Sequence, residues 1–314
     1  MKSEIKKISR HRLIGVQRWK KIKKSAWLYA LLFLPVIYYI VFHYAPMYGV
    51  LMAFKDYKIS KGVWGSPWVG FKWFEKFLFD PYFWKLVRNT LLISLYGLLW
   101  GFWVPIVLAL MLNEVRHPKF KKALQTVSYL PHFISTVVIC GMVVNFCSLD
   151  GLFNQILEFF GKEPIQFLIR PEWFRTIYTG SGIWQSCGWT SIIYLSALTS
   201  VDPTLLDAAE IDGASRFQKI RHVLLPLLKP TISVMLIMQI GRMMSVGYEK
   251  VLLLYNGNTY ETADIISSYV YRRGILGADH SYSTAVGLFT MVIGLILLTA
   301  SNAISKKLND TSLW

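Results

Sequence analysis

Residues 202–218 read Asp202-Pro203-Thr204-Leu205-Leu206-Asp207-Ala208-Ala209-Glu210-Ile211-Asp212-Gly213-Ala214-Ser215-Arg216-Phe217-Gln218. Asp202 can cap free N–H groups, and Pro203 suits the first position of a helix. The helix is expected to run through Leu205, Leu206, Ala208, Ala209 and Ile211 and to stop at Gly213, the residue best able to take a positive φ. Ser215 and Gln218 have the spacing of a capping box, which opens a second helix. Pro226 and Pro230 are expected to end that helix just before a long apolar run. The stretch predicts a short helix, a glycine turn and a second helix, with Asp207, Glu210 and Asp212 on one part and Arg216, Lys219 and Arg221 on the other. A plain connector needs no such capping, so the stretch predicts a rigid plug that fits a partner and passes motion to its neighbours.

The neighbours are apolar. Of 314 residues 54% are hydrophobic and only 17% are charged, against about a quarter charged in a soluble domain. The mean hydropathy is +0.40. Apolar runs at 26–46, 88–112, 124–147, 176–199, 230–254 and 282–304 predict six transmembrane helices and an all-α membrane protein. The third and fourth carry polar residues such as His132, Asn145 and Gln185.

The formal net charge of +16 is placed at the membrane rather than along a nucleic-acid face. Ten of 34 basic residues lie between Lys2 and Lys24. Others fill the short loops 113–123 (Arg116, Lys119, Lys121, Lys122) and 200–229 (Arg216, Lys219, Arg221, Lys229) and the tail (Lys306, Lys307). The positive-inside bias therefore predicts a cytoplasmic-membrane protein with both termini cytoplasmic. The first apolar run is too long for the h-region of a cleaved signal peptide, and no small-residue cleavage site follows it. The chain divides into a basic N-terminus 1–25, a first span with an aromatic-rich outside loop 26–87, a core 88–305 and a tail 306–314. In the outside loop Trp64, Trp68, Phe71, Trp73, Phe74, Phe77, Phe79, Phe83 and Trp84 predict an aromatic belt at the headgroup layer, a docking surface, or both. Gly97 and Gly101 form a small-xxx-small pair that permits close helix approach.

Catalytic constellations are missing. There is no phosphate-binding Gly-x-x-x-x-Gly-Lys-Ser/Thr loop, no His-Glu-x-x-His and no Gly-x-Ser-x-Gly elbow. Cys140, Cys147 and Cys187 lack metal or redox spacing, and the six histidines are scattered. No metal is expected, and no enzyme is indicated.

The run Asp207-Ala208-Ala209-Glu210-Ile211-Asp212-Gly213-Ala214, followed by Val223-Leu224-Leu225-Pro226, resembles the "EAA" loop of ABC-importer permeases. That pattern is Glu-Ala-Ala, three residues, Gly, nine residues and Ile-x-Leu-Pro. Asp207 stands for the Glu and Val223 for the Ile. Phe83-Trp84 with Arg88-Asn89-Thr90-Leu91 is similar to the start of the permease domain. Leu130-Pro131-His132-Phe133-Ile134-Ser135, Gly151-Leu152-Phe153-Asn154 and the ending Ser312-Leu313-Trp314 resemble the complex-oligosaccharide subgroup of the maltose-type class.

The resemblance implies an ABC-importer permease fold with a cytoplasmic coupling helix. It implies a transporter subunit rather than an enzyme, binding no cofactor itself, with ATP and Mg2+ used by two partner ATPases. A second permease, expected to be a different chain, and an external sugar-binding protein complete the machine. In the family the short helix of the EAA loop sits in a groove of the ATPase, and its motion flips the spans between inward- and outward-facing states. Here the coupling residues would be Asp207, Ala208, Ala209, Glu210, Asp212, Gly213, Ala214, Ser215, Arg216 and Phe217.

Polar residues within spans usually face a cavity or another helix. Gln239, Arg242, Val246 and Glu249 recur on one face of the fifth predicted span, and Gln185, Trp189 and Ser196 on one face of the fourth. They are candidates for a sugar pathway, offering hydrogen bonds and flat apolar surfaces. The alternative is that Arg242 and Glu249 pair or snorkel and Trp189 only packs. Arg242 hints at an acidic sugar, because a buried guanidinium seeks a carboxylate. A permease for phosphate, polyamine or peptide, and a membrane docking scaffold without transport, remain open on these residues alone.

Overall fold

The computed structural model describes residues 24–309, 312 and 313. Nearly all of the basic N-terminal stretch (residues 1–23) and Trp314 of the final motif lie outside the described residues. The described chain is helical, and an isolated bridge between Lys55 and Trp68 is its one strand-like pairing.

Among the described residues four helices are long and apolar enough to cross a membrane: α1 (Ala26–Phe54), α3 (Phe83–Glu114), α9 (Arg216–Gly241) and α12 (His280–Asn309). The bent pair α4 (Pro118–Phe133) and α5 (Thr136–Phe146), whose halves meet at 102°, makes a fifth when taken as one span. Helix α7 (Pro171–Thr199) is long, with 29 residues, but less apolar than these. Shorter helices join them: α2 (Lys72–Leu78), α6 (Leu152–Phe159), α8 (Pro203–Ile211), α10 (Tyr248–Leu254) and α11 (Ile266–Tyr271). Helix α7 tolerates its polar composition because it packs against α3, α4, α5, α9 and α10, so much of its polar surface meets protein instead of lipid.

The long helices carry proline without breaking. A proline ring clashes with the carbonyl four residues earlier. In three cases that residue lies in a π-helical turn: Phe42 within Ile40–Tyr44 ahead of Pro46, Gly101 within Gly97–Gly101 ahead of Pro105, and His222 within Ile220–Leu224 ahead of Pro226. The widened turn gives the ring room. This corrects the expectation that Pro226 and Pro230 end the second helix of the loop. That helix continues through both prolines as α9 and becomes the span itself.

Three buried clusters hold the bundle. Phe102, Ile106 and Leu112 of α3 meet Tyr194 and Leu198 of α7 and Leu224 and Leu228 of α9. Ile139, Cys140 and Val143 of α5 meet Phe174 of α7 and Val251 and Leu254 of α10. Ala53, Trp73, Phe77, Phe83 and Leu86 meet Tyr282, Ala285 and Val286 of α12. The aromatic loop is therefore divided. Trp73, Phe77 and Phe83 are core, whereas Trp64, Trp68, Phe71, Phe79 and Trp84 are exposed. Apart from Ala53 at its end, α1 buries nothing against the rest of the chain. Where α7 crosses α4, a Cβ on Gly188 would lie 2.0 Å from the Ser128 carbonyl oxygen, so only glycine lets the two backbones meet.

Candidate functional sites: the coupling loop and the cavity

The plug folds as its own residues dictate. Asp202 Oδ1 accepts from the Thr204 N–H at 2.9 Å, and that backbone donor holds its carboxyl below the usual range. Gly213 takes φ +77°, and the Ala214 N–H reaches back to the Ala209 carbonyl at 2.9 Å, closing α8. The Ser215 N–H donates to Gln218 Oε1 at 2.7 Å and the Gln218 N–H to Ser215 Oγ at 3.4 Å, the expected capping box. Lys219 Nζ donates to Glu210 Oε2 at 2.9 Å and ties the two helices together.

Leu206 and Ile220 pack onto the cluster of α3, α7 and α9 and root the plug in the bundle. Outward, Asp207, Ala208, Glu210, Asp212, Gly213, Ser215 and Arg216 are exposed, and Ala209 and Ala214 are half-buried. Ile211 is 87% exposed and Phe217 70%. Two large apolar side chains on a capped, charged projection form a surface suited to a partner. Asp207 makes no ion pair among the described residues.

At the other end of the same helices lies a cavity. Two spaces of about 330 and 210 Å³ share Ile93 and Gly97 of α3, Tyr178 of α7, and Met235 and Gln239 of α9. Ser94, Arg242 and Val246 line the larger, and Thr179, Ser186 and Thr190 the smaller.

The expected stripe Gln239–Arg242–Val246–Glu249 is not one helical face. Helix α9 ends at Gly241, residues 242–247 are non-helical, and α10 starts at Tyr248. The break is stable because its carbonyls find hydroxyls: Ser94 Oγ donates to Met243 and Ser267 Oγ to Val246. Gln239, Arg242 and Val246 still reach the cavity, whereas Glu249 is exposed on α10 and outside its lining.

Gln185 and Trp189 face the opposite side of α7, toward the bend between α4 and α5. Gln185 Nε2 donates to the Ile134 carbonyl at 3.2 Å, and the Trp189 ring stacks on His132 at 4.7 Å. They brace the bend that the single predicted span 124–147 did not foresee. Ser196 is exposed and lines neither space. The side of α7 that does line the cavity is Tyr178, Gly182, Ser186 and Thr190, a spacing of four that the sequence carries. Among the described residues no His, Cys, Asp and Glu cluster could hold a metal ion.

A helical bundle with a cavity of mixed polar and apolar lining, an interrupted helix beside it and a rigid plug at one end is the architecture of a transport permease. The chain belongs to the family described as "Binding-protein-dependent transport system inner membrane component", which matches residues 101–310. Two relatives from Bacillus subtilis (strain 168) are similar over almost their whole length. Protein LplB is 42% identical over 96% of this chain and 95% of its own. The polygalacturonan/rhamnogalacturonan transport system permease protein YteP is 43% identical over 94% of this chain and 92% of its own.

Among solved structures, a chain of a bacterial ABC transporter involved in the import of the acidic polysaccharide alginate is 43% identical. It covers 93% of this chain and 99% of its own with a TM-score of 0.84. A chain from the bacterial alginate ABC transporter in complex with alginate pentasaccharide-bound periplasmic protein gives 42% identity and a TM-score of 0.85, over 94% and 99%. The protein is thus an inner-membrane permease subunit of an ABC importer, a transporter component and not an enzyme. The expectation of an oligosaccharide importer is borne out at the level of class.

Proposed function

We propose that this permease passes an acidic, uronate-containing oligosaccharide from an external binding protein into the cytoplasm. The observation that carries the acidic reading is Arg242, an exposed residue at the rim of the cavity lining that makes no ion pair among the described residues. A cation without a protein carboxylate in a cavity favours an anionic ligand. Similarity to a permease named for polygalacturonan and rhamnogalacturonan, and to transporters of alginate, supports the same chemistry.

In this reading the chain pairs with a second, different permease and two cytoplasmic ATPases, which use ATP and Mg2+. The plug Asp207–Phe217 is the coupling element: the exposed Ile211 and Phe217 enter the ATPase groove, and Gly213 sets the angle between the two helices. Both termini and the plug are cytoplasmic, and the segments between α10 and α12 face outward. Gln239, Arg242 and Val246 contact the passing sugar, while Gln185 and Trp189 support the wall behind it.

The test is uptake by the assembled importer, purified from native membranes with its partners and reconstituted in liposomes. Wild type is expected to prefer an oligogalacturonate over its neutral methyl ester. Arg242→Gln is expected to lower uptake of the acid about 10-fold relative to the ester, the loss of one charge-assisted contact. Equal losses for both would remove Arg242 from acid recognition. Recovery of the chain without any ATPase would overturn the importer assignment.

A further inference from the structure

One helical turn from the cavity, at the end remote from the plug, α3 and α7 are joined by a single polar bridge. Arg175 Nη2 donates to Asn89 Oδ1 at 3.1 Å. Asn89 is 1% exposed, and its Nδ2 donates to the carbonyls of Glu261 at 2.8 Å and Asp264 at 3.0 Å. Arg175 lies three residues before Tyr178, and Asn89 four before Ile93, so the bridge stands over two residues of the cavity wall.

The guanidinium is under-satisfied. Its Nε is buried with no hydrogen-bond partner, and its one hydrogen-bonded side-chain partner is a neutral amide. The nearby carboxylate is taken: Asp264 accepts from Arg272 at 2.6 Å and from Ser268 at 2.7 Å. Arg88 adds a second positive charge close by. One turn further into the bundle Thr179, 8% exposed, lines the smaller cavity and holds a buried Oγ1 without a partner. A carboxylate offers a guanidinium two parallel, charge-assisted bonds, each roughly twice as strong as one to a neutral group. A neutral sugar hydroxyl offers nothing better than Asn89 already gives.

We propose that Arg175 is a carboxylate-operated gate: a uronate displaces Asn89 from the guanidinium, which uncouples α3 from α7 at that end and admits the sugar toward Arg242. Selection for acid is then made twice, at the gate and in the cavity. The inference rests on the acidic-sugar reading, and wild type alone tests that reading. Should the wild-type importer take up the methyl ester of tri-galacturonate as readily as the free acid, both fall.

Given acid preference in wild type, the gate is tested with Arg175→Gln and Arg175→Lys in the reconstituted importer. The binding protein is saturated with each trisaccharide in turn. For Arg175→Gln, uptake of the free acid is expected to fall about 10-fold or more, while uptake of the ester holds or rises. Arg175→Lys, which keeps the charge and loses the fork, should fall between. If ester uptake by wild type is too slow to measure, the split is read from the acid alone, as a fall for Arg175→Gln that Arg175→Lys partly restores. Equal loss of both sugars, equal loss in both variants, or no change in either variant would make Arg175 a structural tie and overturn the gate.

Discussion

The plug at 202–219 and the break at 242–247 both interrupt helix, yet they are stopped by different agents. In the plug each interruption is made by residues a few positions away: Asp202 on Thr204, Ala214 on Ala209, Ser215 and Gln218 on each other. In the break the freed carbonyls of Met243 and Val246 are taken by Ser94 and Ser267, 149 and 21 residues distant. The plug's shape belongs to its own segment. The shape of the break is lent by α3 and α11, so the break can respond when those helices move and the plug can transmit force without changing.

Three experiments press on that contrast. The largest effect is expected from Gly213→Val. A β-branched residue at φ +77° costs about 2 kcal/mol against the left-handed turn. The variant should insert and assemble while losing sugar-stimulated ATPase, because the second helix leaves its angle. Normal stimulation would show that the plug need not be rigid.

Next comes Ser94→Ala. Leaving the Met243 carbonyl without its hydroxyl donor costs about 1–3 kcal/mol where water cannot replace it. A lower melting temperature in detergent is expected, with co-purification of the ATPases unchanged. Loss of the ATPases from this variant would mean that break and plug are not independent.

The smallest effect concerns the ion pair across the plug. The Lys219 ammonium, through its hydrogen bond and its charge, holds the exposed Glu210 carboxyl below its ordinary value of 4.5. Because the folded value is the lower one, the stabilisation is fully present above the ordinary value and is lost as pH falls through the lowered one. ATPase coupling should not distinguish Glu210→Gln from wild type by more than about twofold at neutral pH, as for other exposed pairs. The pair's effect should hold constant from about pH 8 to 5. A steep wild-type change within that window, absent from Glu210→Gln, would give the pair a larger role than tying two helices.

Much of the chain was legible in this way and part was not. The apolar runs gave the membrane class, and the caps gave the plug to within a residue or two, because hydropathy and capping are properties of short segments. Proline is a stop signal by local rules, but a π-turn around His222 absorbs the Pro226 ring and the helix runs on. The stripe through Gln239, Arg242, Val246 and Glu249 assumed a continuous helix, and α9 stops at Gly241. On α7 the polar residues were seen but not which side they serve. Gln185 and Trp189 meet the bend through Ile134 and His132.

By itself, then, the sequence determined the set of long apolar helices, the capped plug with its glycine turn, and the kinship with importer permeases. Each rests on neighbours within a turn or two, or on a pattern carried whole in one segment. Only the tertiary structure decided where α9 breaks, why α4 and α5 meet at an angle, how Gly188 lets two backbones touch, and that Arg175 rests on Asn89 above the cavity. In a bilayer a freed carbonyl or an unpaired guanidinium must find its partner within the protein, and those partners lie on helices far away in the chain.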